Sequence, residues 1–101
     1  MIRHIVIWKL DSIYSQDEKT EHTSFIKEQL VQLKDKIGQL KCLEVHTNSP
    51  EAPETNYDII LDTTFDSINS LNEYQEHPEH KKVVAALSKI KKQRAAIDYE
   101  F

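Results

Sequence analysis

Between residues 2 and 10, side chains alternate along an extended chain. Ile2, His4, Val6 and Trp8 fall on one side and Arg3, Ile5, Ile7 and Lys9 on the other. Both sides carry β-branched or aromatic residues, which predicts a strand covered on each face. Residues 11–15 are polar turn material, and Ser15 or Asp17 is placed to cap a helix. Phe25, Ile26, Leu30, Leu33 and Ile37 then recur at near-helical spacing, predicting a surface helix with one buried stripe that runs to about Ile37. Gly38, the chain's only glycine, follows where a left-handed residue commonly ends a helix. Residues 42–47 predict a short second strand, with Cys42 as a small apolar strand residue, and residues 48–56, with two prolines, a loop.

The third strand is predicted over residues 57–65. Its faces are Tyr57, Ile59, Leu61, Thr63 and Phe65 against Asp58, Ile60, Asp62 and Thr64. Asp66 or Ser67 caps a second helix, which turns Ile68, Leu71 and Tyr74 to the core. Pro78 lacks an N–H and disfavours helical geometry at His77, yet suits the first turn of a new helix. His77 is therefore a junction and His80 lies in the first turn of a third helix, whose stripe is Val83, Val84, Leu87 and Ile90. Residues 94–101 alternate again as a fourth strand.

The order strand, helix, strand, strand, helix, strand is that of a ferredoxin-like split βαβ fold. This is an α+β class: a four-stranded antiparallel sheet with helices on one face. The other sheet face still carries apolar residues. A bare apolar face is an association surface, which predicts a two-fold homodimer of face-to-face sheets, a dimeric α/β barrel.

Composition narrows the function. A chain of 101 residues fits a single domain spanning residues 1–101, and no apolar run approaches the ~18 residues a bilayer span requires. The amino terminus does not read as a secretory signal, so the expected compartment is cytoplasmic, with no membrane partner. Thirteen basic residues against seventeen acidic give a net charge of −4, which argues against nucleic acid as a partner. Lys89, Lys91, Lys92 and Arg94 form one basic cluster, read as the cationic end of the third helix facing its macrodipole, with a phosphate-binding patch as the alternative. A lone cysteine makes no intramolecular disulfide, and a single glycine leaves no phosphate-cradling loop, so no nucleotide cofactor is expected.

The candidate chemistry concentrates in residues 74–80. Tyr74 and His80 flank the proline junction, and His4 can join them from the first strand. Tyrosine can donate to a carbonyl or enolate oxygen, and neutral histidine can remove a proton near neutral pH, so the set suits proton abstraction beside a carbonyl. The amino end of the third helix disfavours imidazolium at His80, whereas Glu79 favours it. His77 and His80 are three apart, but the proline breaks the helical clamp and no third ligand completes a set, so no metal is expected. A purely structural account is also open: a His-Pro cap, a core tyrosine and a buried, hydrogen-bonded His4.

Three stretches and their order carry a family resemblance. Residues 1–9, residues 57–65 and Tyr74 with His77-Pro78-Glu79-His80, followed by Asp98-Tyr99, are similar to the stress-responsive dimeric α/β barrel (Dabb) family. The resemblance spans nearly the whole chain and implies the ferredoxin-like fold and the homodimer. A plant polyketide cyclase of that family performs a cofactor-free aldol condensation with a tyrosine and a histidine matching Tyr74 and His80. It also has a histidine matching His4 and an aspartate matching Asp98. Where it has a further pocket histidine, this chain has Ile59, which makes the pocket less polar. The resemblance thus implies Tyr74, His80 and His4 as catalytic residues and Ile59, Trp8 and Asp98 as ligand-binding ones. The implied ligand is a small hydrophobic or aromatic carbonyl compound, turned over by cyclase-like or proton-transfer chemistry with no cofactor. The alternatives are a non-catalytic, stress-associated dimeric binding module and a cofactor-independent monooxygenase.

Overall fold

A computed structural model describes residues 1–101. In chain order the elements are β1 (Ile2–Leu10), α1 (Gln16–Lys36), β2 (Cys42–Thr47), β3 (Ile59–Phe65), α2 (Ile68–Glu76), α3 (Pro78–Ser88) and β4 (Lys91–Glu100). The strands form one sheet in the order β2-β3-β1-β4, and every neighbouring pair is antiparallel. This is the ferredoxin-like α+β fold. The helices cover one sheet face: α1 lies on β2 and β3, α2 on β1 and β3, and α1 also packs against α3. No helix is long and apolar enough to cross a membrane.

The alternation of β1 sets the core. Ile2, His4, Val6, Trp8 and Leu10 are all buried, while Arg3, Ile5, Ile7 and Lys9 are half-buried on the helix-free face. From above, α1 supplies Thr23, Ile26, Leu30 and Leu33, at spacings of three, four and three. Each fully buried aliphatic side chain contributes roughly 1.5–3 kcal/mol, so stripe and sheet together hold α1 in place. Its start is fixed by a reciprocal capping box: Glu18 N donates to Ser15 Oγ at 3.1 Å and Ser15 N to Glu18 Oε1 at 2.9 Å. The cap is therefore Ser15, with Asp17 in the first turn. Ser67 plays the same part for α2, accepting from Ser70 N at 3.2 Å.

Several sequence expectations are corrected. Gly38 does not adopt a left-handed conformation: α1 ends because Ile37 turns extended, with φ −124° and ψ 108°, and drops its side chain into the core. Phe25, Ile68 and Val84 are about half exposed: Phe25 and Val84 sit one position from buried Ile26 and Val83, and Ile68 is the first residue of α2. Cys42 is exposed on the helix-free side of β2. Strand β3 begins at Ile59, two residues late; just before it, Asp58 N donates to Trp8 O at 2.9 Å and its side chain accepts Leu10 N on Oδ2 at 2.8 Å.

The largest correction concerns the basic cluster. Helix α3 stops at Ser88, and only Lys89 caps it. Lys91, Lys92 and Arg94 belong to β4, which starts three residues earlier than its apolar alternation indicates. Here β4 carries a bulge opposite Lys9 and Leu10: Gln93 pairs with Lys9 and Lys91 with Leu10, so Lys92 is the extra residue. The bulge resets the alternation, and Lys91 faces the same side as Arg94, toward the helices.

Candidate active site

Strand register and the helix junction bring the histidines together. His4 sits between Thr63 of β3 and Asp98 of β4. It is only 3% exposed, and its Nδ1 donates in a short hydrogen bond to Asp98 Oδ1. That bond fixes the orientation of the ring. The backbone beneath is locked as well, since Thr63 Oγ1 donates to His4 O at 2.9 Å.

His77 is both the C-cap of α2 and the N-cap of α3, and its Nδ1 accepts Glu79 N at 3.1 Å. Pro78 follows as the first residue of α3, as its missing N–H requires. One turn on, His80 reaches back across the junction and donates from Nδ1 to Gln75 O at 3.2 Å, satisfying a carbonyl that the end of α2 leaves open. Its Nε2 is then the free acceptor. Both nitrogens that a three-residue histidine clamp would need are thus partly spent on helix ends.

Tyr74, in the last turn of α2, is fully buried. Its ring packs 4.4 Å from that of His80, 5.0 Å from Phe65 and 6.4 Å from His4, centroid to centroid. The hydroxyl is buried without a hydrogen-bond partner, and burial pushes its ionisation well above the ordinary phenol range. The phenol stays protonated at any physiological pH.

A cavity of about 330 Å³ opens beside this cluster, between α3 and the sheet. Val6, Trp8, Leu30, Leu61, Val83 and Leu87 form its buried apolar floor, and His4 and His80 supply polar atoms. Gln75, Val84, Lys91 and Arg94, all half-buried or exposed, stand at its mouth. The volume lies at the lower end of the range for small-molecule sites. Of the six residues singled out from the sequence, His4, His80 and Trp8 line the cavity. Asp98 stands behind His4, and Tyr74 stands behind His80 and outside the lining. Ile59 is buried next to Trp8 across the β1–β3 ladder and does not reach the cavity. Lys91 and Arg94 were masked in the sequence because a bulge restores their phase and no apolar alternation marks residues 91–93 as strand.

Burial holds the His80 imidazole below its ordinary value of 6.5. The charges of His4, Arg94 and His77 push the same way, against the hydrogen bond to Gln75. The unfolded chain takes up a proton on this residue near 6.5 while the native state takes it up only at lower pH. Between those values the unfolded state binds more protons, so stability is lost as pH falls below 6.5 and is unaffected by His80 above it. We expect the His80 Cε1–H resonance to titrate with a midpoint below 6.5; a midpoint at or above 6.5 would show that burial does not govern this ring.

The fold and the cavity define a ferredoxin-like α+β domain with a ligand-sized site between its third helix and its sheet. The model of the stress responsive A/B barrel domain (Dabb) matches residues 2–101, and the chain belongs to that family. A dimeric protein of unknown function with a ferredoxin-like fold from Bacteroides fragilis is similar over 99% of this chain and 95% of its own, at 32% identity and a TM-score of 0.90. A hydroxynitrile lyase from Passiflora edulis superposes with a TM-score of 0.77 at 18% identity, covering 97% of this chain and 90% of its own. An antibiotic biosynthesis monooxygenase gives the same TM-score at 9% identity, covering 100% and 98%. At those identities the last two share the fold alone. Among proteins with curated functional descriptions, none matches the chain.

Proposed function

We propose that this domain binds a small carbonyl compound with an apolar or aromatic body in the cavity beneath α3, and that His80 serves there as a cofactor-free general base. The observation that carries this reading is the state of His80. It lines an apolar cavity, its Nδ1 is committed to Gln75 O, and its basicity is lowered so that Nε2 is unprotonated at neutral pH. His4, fixed by Asp98, lines the same space. Tyr74 stands behind His80 and outside the lining, with a hydroxyl that burial keeps protonated and that has no partner, so its part in the reaction is to support the His80 ring unless the Tyr74→Phe variant shows otherwise. The reaction is removal of a proton from the carbon beside a carbonyl, the first half of an aldol-type ring closure.

Deuterium exchange tests it without a known substrate. In D2O, the protein should accelerate exchange at the carbon next to the ketone of a bound aryl ketone such as 3-benzoylpropionate. Binding with no acceleration would leave a non-catalytic binding module as the reading.

The same proposal includes a homodimer. Ile5, Ile7 and Ile60 lie half-buried on the helix-free sheet face and Ile97 is 61% exposed there, so the face is apolar and uncovered in one protomer. The 32%-identical Bacteroides fragilis relative is described as dimeric. Sedimentation at micromolar concentration should give twice the chain mass, and Ile97→Glu should give the monomer with its circular dichroism unchanged. A wild-type monomer refutes the assembly.

A further inference from the structure

We propose that Lys91 and Arg94 form a carboxylate clamp at the mouth of the cavity, so that its ligand is a small acid, apolar body inward and anionic group outward. This rests on the reading of the cavity as a ligand site and names the class of ligand it takes.

Three independent features support the clamp. Both cations line the cavity mouth, neither makes an ion pair or a side-chain hydrogen bond within the chain, and among the unpaired cations these two alone line this cavity. The nearest acid on the same strand face, Asp98, is engaged by His4. The register is also specific: Arg94 is opposite Trp8, and only the extra residue at Lys92 turns Lys91 to the same side. A regular strand would send Lys91 to the opposite face. Finally, Arg94 and His80 line the same cavity, close enough for the charge of Arg94 to act on the ring.

Chemistry fits the arrangement. The buried floor is apolar and the only lining charges are cationic, so a neutral apolar ligand would leave both cations idle, while a carboxylate would gain charge-assisted hydrogen bonds to them. A guanidinium fork and an ammonium at one rim suit the two oxygens of a carboxylate. A bound anion would also offset the positive field on His80 and raise its basicity at the moment the substrate arrives.

Matched probes decide between outcomes. Calorimetry with 3-benzoylpropionate and with its neutral primary amide, at low salt and neutral pH, should show the acid bound at least about tenfold more tightly. The preference should shrink as salt rises. In the double variant Lys91→Gln, Arg94→Gln it should vanish, with amide affinity retained, and acid binding should raise the His80 titration midpoint in the wild type only. Arg94→Lys, which keeps the charge, should retain part of the preference. Equal affinity for acid and amide in the wild type, or a preference that survives in the double variant, overturns the clamp while the cavity reading stands. Failure of both probes to bind overturns the cavity reading and the clamp together.

Discussion

Replacing His80 with alanine is expected to slow deuterium exchange next to the ketone of a bound aryl ketone by about 10²- to 10⁴-fold, the usual contribution of a positioned general base. The size follows from what the variant removes. His80 is the one cavity-lining side chain whose free nitrogen is poised by burial, by the Arg94 charge and by a backbone hydrogen bond that fixes its tautomer. Because the basic form is required, wild-type exchange should rise as pH climbs through the lowered midpoint of His80 and be level by neutral pH. His80→Gln keeps a donor toward Gln75 O and much of the shape, so it separates loss of the base from disturbance of the helix junction. If His80→Ala binds the probe and exchanges as fast as the wild type, the base is elsewhere, and His4 is the group to replace next.

Tyr74 gives the second large effect, and its two substitutions should move stability in opposite directions. Tyr74→Ala empties the fully buried space between Phe65, His4 and His80 and is expected to cost about 3–5 kcal/mol, read from urea midpoints. Tyr74→Phe keeps the ring and removes a buried hydroxyl that has no partner, so it should stabilise the free protein by about 1 kcal/mol. If the hydroxyl serves a substrate oxygen, the same variant should lose exchange activity by about tenfold or more while gaining stability. Such a trade separates the two accounts of this residue: a gain in stability with activity untouched means that Tyr74 is packing alone. A loss of stability in Tyr74→Phe would mean that the hydroxyl is satisfied after all.

Much of the architecture was legible because it rests on short-range patterns. The alternation in β1 places His4 and Trp8 on the covered face, and the same period in β4 places Asp98 opposite His4. The His77-Pro78 break was readable because a proline cannot donate and constrains the residue before it, and the structure puts the junction there with His77 capping both helices. The end of α1 was legible to within a residue, but its cause was misplaced at Gly38, because the buried pull on Ile37 turns the chain before the glycine is reached. Phe25, Ile68 and Val84 were assigned to buried stripes by spacing, yet Phe25 and Val84 lie beside the buried Ile26 and Val83, and Ile68, though in phase with Leu71, is the exposed first residue of α2. In the site, the proximity of Tyr74 and His80 was legible because one proline separates two helix ends. That the tyrosine lies behind the histidine, outside the cavity, depends on ring packing with Phe65, which no spacing encodes. The cationic mouth was hidden for the same kind of reason, since a charged segment gives no alternation to follow.

The extra residue at Lys92 has a consequence for how this cavity can change. A strand with one surplus residue runs in two phases, and everything before the surplus is out of step with everything after it. Deleting Lys92 would remove the surplus and set Lys91 beside Gln93, still opposite Leu10 and on the same face as Arg94, so the charge at the cavity mouth should survive. The cavity mouth thus tolerates a change of one residue in length at this point, and its ligand preference is open to revision by substitution of Lys91 or Arg94.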